Sequence, residues 1–175
     1  MNATAPTPDL GSALAALLVE LVDGPPGHEA YMLNPGDPGL LRSLAPLSWT
    51  TAAAPAKDGG APIAAHVDHV LYGLSLMNRW AAGEPNPFAT ADWAASWKRN
   101  VTSEAEWERL RGELSDEAHR WIEAVKSLGD APPLDPVALK GVIASVAHLG
   151  YHLGAVRQID ARTRGPRQEE RQGSS

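Results

Sequence analysis

Residues 135–159 read "DPVALKGVIASVAHLGYHLGAVRQI", and the fold class follows from how this stretch is periodic. Asp135 followed by Pro136 is an N-cap with proline at the first helical position. Beyond it, Leu139, Val142, Val146, Leu149 and Leu153 recur at helical spacing and form one apolar stripe. A second face carries Val137, Gly141, Ala144, Ser145, His148, His152, Ala155 and Ile159, mostly small or apolar, and reads as turned inward. A helix apolar on two sides must be covered on two sides, by its own bundle or by another subunit. His148 and His152 are four apart, so both imidazoles lie on one face about one turn from each other.

Three more long helical segments precede it. Thr7-Pro8-Asp9 reads as a cap and first turn, and Leu10, Leu14, Leu17, Leu18 and Leu21 then repeat until Gly24-Pro25-Pro26 stops them. The turn-rich "GPPGHEAYMLNPGDPG" follows, and "LLRSLAPL" after it predicts one short accessory helix. A helix over 62–82 carries the stripe Ile63, Val67, Val70, Leu74 and Met77. A capping box, Ser103 with Glu106, opens another with Trp107, Leu110, Leu114, Trp121, Val125 and Leu128 on its apolar face. Between them "GEPNPFATADWAASWKRNVT" is about 20 residues of irregular link, longer than connections in compact helical domains usually are. It must cross the bundle or carry function. No stretch alternates with period two, so the chain is all-α and reads as a four-helix bundle.

Composition narrows the chemistry. Among 175 residues there is no cysteine, which excludes disulfides, thiolate zinc sites and cysteine nucleophiles and leaves histidine and carboxylate as metal ligands. A net charge of −6 with scattered basic residues argues against nucleic-acid binding. No apolar run approaches the roughly 20 residues of a membrane span. Met1 to Asp9 has no basic stretch leading into an apolar one, and a soluble cytoplasmic protein is the expectation. The last residues, "TRGPRQEERQGSS", are polar, so the domain is expected over 1–161 with a disordered tail over 162–175. Six tryptophans serve cores and cleft rims equally well.

The helix over 62–82 also carries histidine, His66 and His69, in "AAHVDHVLYG". His69 lies roughly 11 Å from the start of its helix, and His148 and His152 roughly 11 to 17 Å from the end of theirs. If the two helices run antiparallel, three imidazoles share one level. The long link would then carry the chain back, giving an up-down-down-up bundle with a crossover between its second and third helices. His66, about 60° round from His69, is the competing third partner. His28 and His119 read as surface residues. The plain alternative is that each helical histidine is a half-buried polar residue with one satisfied nitrogen.

At these residues the sequence resembles the DinB-like (DinB/YfiT) superfamily of metal-binding four-helix bundles. The resemblance rests on "PIAAHVDHVLYGLSL" and "VAHLGYHLGAVRQI", supported by "LNPGDPGLLRSL" and "DWAASW". It implies a divalent metal ion held by one histidine of the second helix and two, four apart, of the fourth. By position these are His69, His148 and His152, with His66 as the alternative to His69. It also implies the up-down-down-up order. Three nitrogen ligands leave a position open for water or substrate and suit zinc or nickel. Some relatives are metal-dependent transferases using low-molecular-weight thiols, so a thiol transferase acting on small electrophiles is one expectation. A non-catalytic metal-binding or dimeric scaffold is the other. Tyr72 and Tyr151 are candidate hydroxyl donors, tryptophans of 93–107 candidate cleft walls, and the two apolar helices predict a homodimer.

Overall fold

Residues 9–57, 59–128 and 135–165 are described by the computed structural model, and every regular element among them is helical. They are α1 (Leu10–Val22), α2 (Leu40–Leu44), α3 (Trp49–Ala53), α4 (Ile63–Ala81), α5 (Glu104–Ser127) and α6 (Pro136–Ile159). Short 3₁₀ turns lie at Pro87–Thr90, Ala95–Trp97 and Ala161–Thr163.

The helices start where side chains can satisfy free N–H groups. Asp135 accepts from the N–H groups of Val137 and Ala138 at 2.7 and 3.0 Å, as its sequence predicts. In α1 the cap is Asp9, bonded to Ser12 N–H at 2.7 Å; the expected cap at Thr7 lies outside the described residues. Only half of the expected capping box forms. Ser103 accepts from Glu106 N–H at 3.3 Å, whereas the Glu106 carboxylate turns to Thr102, meeting its N–H at 2.7 Å and its hydroxyl at 2.8 Å. There are two short helices rather than one, because Ser48 caps Trp49–Ala53 through the N–H of Thr51.

Around the bundle, α4 packs on α5 and α6, and α1 packs on the same two, which leaves α1 and α4 on a diagonal. His66 meets His152, Gly73 meets His148, and Met77 meets Gly141, so α4 and α6 run in opposite directions. The core is the set of stripes read from sequence: Leu14, Leu18 and Leu21, then Ile63, Val67, Val70 and Leu74, then Trp107, Leu110, Leu114 and Trp121, then Val142, Leu149 and Leu153. Its two largest members are buried with their N–H groups satisfied. Trp107 Nε1 donates to Leu47 O at 2.8 Å and Trp121 Nε1 to Ser145 Oγ at 2.9 Å. Leu10 and Val137, expected on apolar faces, are exposed at the first turns of their helices.

The loop after α1 is gathered by a buried carboxylate. Glu20 accepts from the N–H groups of Tyr31, Met32 and Leu33, at 2.6 Å for the last. This loop then brings Gly39 against Gly24 so closely that a Cβ at Gly39 would stand 2.3 Å from Gly24 N. Only glycine allows that approach. At the other end the chain stays docked past residue 161. Thr163 is 1% exposed, and its carbonyl accepts from Ser43 Oγ at 3.1 Å. The residues of the expected tail from 166 onward lie outside those described.

The link between α4 and α5 lies along α4, with both of its 3₁₀ turns packed on that helix. Arg99 Nη1 donates to Asp68 Oδ1 at 3.0 Å, and Asp92 N–H donates to the Tyr72 hydroxyl at 2.9 Å. Two polar ties thus hold an aperiodic segment over one helix. With α3, α5 and α6 packed on the same helix, α4 is buried continuously from Ile63 to Val70, including both of its histidines.

Candidate metal centre

Antiparallel packing of α4 and α6 brings four imidazoles together. Of these, His69, His148 and His152 each offer one ring nitrogen, and the three nitrogens lie within 4.8 Å of one another. The Nε2 atoms of His148 and His152 are 3.0 Å apart. Around a tetrahedral ion with Zn–N bonds of about 2.0–2.1 Å, neighbouring ligand nitrogens stand about 3.3 Å apart. The one-turn pair therefore already has the spacing that a shared ion requires.

The other ring nitrogens are held from behind. His69 Nδ1 is 2.8 Å from Ser96 Oγ, which itself donates to Trp93 O at 2.8 Å. Since that hydroxyl gives its proton to the carbonyl, it accepts from His69 Nδ1–H and leaves Nε2 as the free lone pair. His152 Nδ1 is 3.0 Å from His66 Nδ1. With His152 as donor in that contact, its Nε2 is likewise free to ligate. This arrangement, in which a ligand's second nitrogen is fixed by a neighbour, is how metal-binding imidazoles are oriented. The fourth histidine, His66, thus stands behind the group, in contact with His152.

Burial sets the protonation state. His152 is 1% exposed and its pKa is pushed down to about 3, first by desolvation and then by His148, His66 and His69. His69 is 9% exposed and pushed down to about 4 by desolvation, then by His148 and His66. Desolvation lowers His66 and His148 as well. All four rings are neutral at physiological pH, the form in which imidazole ligates. A cluster of neutral imidazoles that no carboxylate among the described residues faces is the donor set expected to attract a cation, and the residues fit a nitrogen-preferring divalent ion.

Aromatic rings from the link wall the group. The Trp97 ring stacks on His69 with centroids 4.2 Å apart and meets His66 edge-on at 5.1 Å. Trp93 lies 5.6 Å from His69 and 5.4 Å from Tyr72. These two indoles are 40% and 36% exposed, whereas Trp107 and Trp121 are in the core, so the tryptophans divide between both uses that composition allows. On the far side, Tyr151 is 67% exposed and meets His152 edge-on at 5.0 Å. The Tyr72 hydroxyl, a candidate donor by sequence, is engaged by Asp92 of the link.

Other polar candidates fall elsewhere. His28 is exposed, and exposed His119 is bonded to Asp23 at 3.1 Å. Asp68 is paired with Arg99, and Asp160 caps the turn at Ala161–Thr163. Sequence reasoning did not find Ser96 or the part played by His66. No spacing pattern marks a serine in an aperiodic link, and His66 is marked only as a rival to His69.

The chain matches the family model described as DinB superfamily over residues 38–156, which takes in α2 through nearly all of α6 and every histidine of the cluster. Neither the curated proteins nor the solved structures compared with it give a match.

Proposed function

The chain belongs to the DinB superfamily, and on that premise we propose that it is a divalent-metal-binding protein in which His69, His148 and His152 hold zinc or nickel. The bundle order of this reading is up-down-down-up, supported by the opposed α4 and α6 and by the link laid along α4. The observation that carries the metal assignment is the trio itself: three neutral ring nitrogens within 4.8 Å, that of His152 fully buried, with two of the rings braced from behind by Ser96 and His66.

We further propose that the centre is that of a thiol transferase acting on small electrophiles. A bound divalent ion supplies Lewis-acid chemistry, lowering the pKa of a thiol or water so that a nucleophile exists near neutral pH. The protein's residues do the rest. Ser96 and His66 fix the orientation of their imidazoles, and the indoles of Trp93 and Trp97 keep water from one side of the cluster. No Asp or Glu among the described residues faces the trio as a general base, so the proton of an incoming thiol leaves to solvent on the open side.

The test is metal content by plasma mass spectrometry, followed by thiol conjugation to small electrophiles with zinc- and nickel-loaded protein. One equivalent of metal with metal-dependent conjugation is expected. One equivalent of metal with no acceleration for any thiol would leave a non-catalytic metal-binding bundle. Absence of metal after loading would remove the assignment.

A further inference from the structure

The histidine cluster has an apolar neighbour. Between α4, α6 and the link lies a cleft of about 400 Å³, walled by Leu74, Met77, Phe88, Trp93 and Leu149 and closed at one end by His148. Two polar side chains reach it, and one of them has its only proton already committed. Ser145 Oγ accepts from Trp121 Nε1 at 2.9 Å and donates to Val142 O at 2.7 Å. Convergent polarity is therefore confined to the end where His148 joins the trio.

Small residues hold the cleft open. A Cβ at Gly73 would stand 3.5 Å from His148 Cε1 and 3.8 Å from Trp93 Cζ3, and one at Gly141 would stand 3.7 Å from Met77 Cε. Ala144 lies on the same α6 face one turn further along. Larger side chains at these positions would occupy the space between the helices and the link. Gly73, Gly141 and Ala144 thus act as the absence of a wall, beside a core whose largest members are leucine, isoleucine, valine and tryptophan.

We propose that this cleft receives the compact apolar part of a small ligand whose single polar or reacting atom lies at His148, beside the trio. Its volume is at the low end for small-molecule sites, enough for one ring or a short branched chain. Sugars and nucleotides are excluded as occupants of this part, since their hydroxyls would lose hydration with no partners to replace it. A second, polar recess of about 590 Å³ borders His66 on the opposite side. Its Arg164 is partly committed, Nε to Arg157 O at 2.7 Å and Nη2 to Gln158 Oε1 at 3.1 Å, and none of His69, His148 and His152 lines it. The proposal rests on the metal reading only for what the ligand's polar atom meets.

Two probes that share a thiol and differ in the body test it: benzyl mercaptan and 2-mercaptoethanol, titrated calorimetrically into zinc-loaded full-length protein. Burial of the ring is expected to give benzyl mercaptan at least about tenfold higher affinity. Saturation-transfer NMR on the same samples is expected to show its ring protons in contact with protein. Gly141→Leu and Ala144→Leu, both at helical positions that accept leucine, are each expected to abolish the preference while keeping zinc content and mercaptoethanol affinity. Ala144 is at the exposed edge of the cleft, so its variant carries the test if the Gly141 variant does not fold. Equal affinity of the two thiols for the wild type, or a preference that survives in the folded variants, would overturn the proposal. Zinc content separates the two readings. Zinc-free wild type that still saturates the ring, lost in the variants, would keep the cleft and remove the metal centre. Zinc-bound protein with no ring preference would do the reverse.

Discussion

His66→Ala is expected to weaken zinc binding by about 10- to 100-fold without abolishing it, whereas His69→Ala, His148→Ala and His152→Ala each lose stoichiometric metal. The magnitude comes from the geometry. His66 Nδ1 lies 3.0 Å from His152 Nδ1, on the side of the His152 ring opposite the nitrogen that faces His148. Removing it takes away the partner that fixes the His152 tautomer and ring plane, not a donor to the ion. Loss of such an outer partner costs about 10- to 100-fold in metal affinity, or about 1.4–2.8 kcal/mol. Metal retention after gel filtration, measured by plasma mass spectrometry, separates lost ligands from weakened ones. Competition against a chromogenic chelator then gives the affinity of the His66 variant. His66→Asn, whose side-chain carbonyl can occupy the place of Nδ1, is expected to recover part of the loss. Two results would refute the reasoning: His66→Ala devoid of metal while His69→Ala keeps it, which would exchange the two roles, or His66→Ala with wild-type affinity, which would remove the orienting contact.

Metal-free protein is expected to lose stability as pH falls below about 6.5. The folded pKa values of His69 and His152 are depressed to about 4 and about 3, so between these values and 6.5 the unfolded chain binds protons that the folded chain does not, and stability falls with pH. Above about pH 7 it should be flat on this account, and a melting temperature that stays constant or rises from pH 7 to 5 would contradict it. Deleting residues 162–175 is expected to lower the melting temperature, because Thr163 is buried and its carbonyl accepts from Ser43; an unchanged transition in differential scanning calorimetry would show that this docking contributes nothing. Light scattering at micromolar concentration is expected to give twice the 18.5 kDa chain mass, in keeping with the exposed Tyr31, Met32, Ile143 and Tyr151. A monomer mass would remove the homodimer.

What the sequence determined by itself is everything that depends on one helix at a time. Asp135-Pro136 starts α6, period-3.6 stripes select the core residues of all four long helices, and the i, i+4 spacing puts His148 and His152 on one face. The absence of cysteine limits the ligand chemistry. These are properties of local geometry, since a residue's angle about its own helix follows from its number. The rotation of one helix relative to the next does not. His66 and His69 differ by about 60°, so either could face α6; side-chain packing decided that both do, with His69 joining the trio and His66 meeting His152 from behind. The link was legible only as too long to be idle. Its aperiodic residues carry no pattern from which Ser96 behind His69 or Trp97 against its ring could be read. Those contacts depend on where Arg99 and Asp92 fasten the segment to α4. Docking of Thr163 is of the same kind, because its carbonyl meets the Ser43 hydroxyl 120 residues away in the chain, a contact that no local pattern encodes.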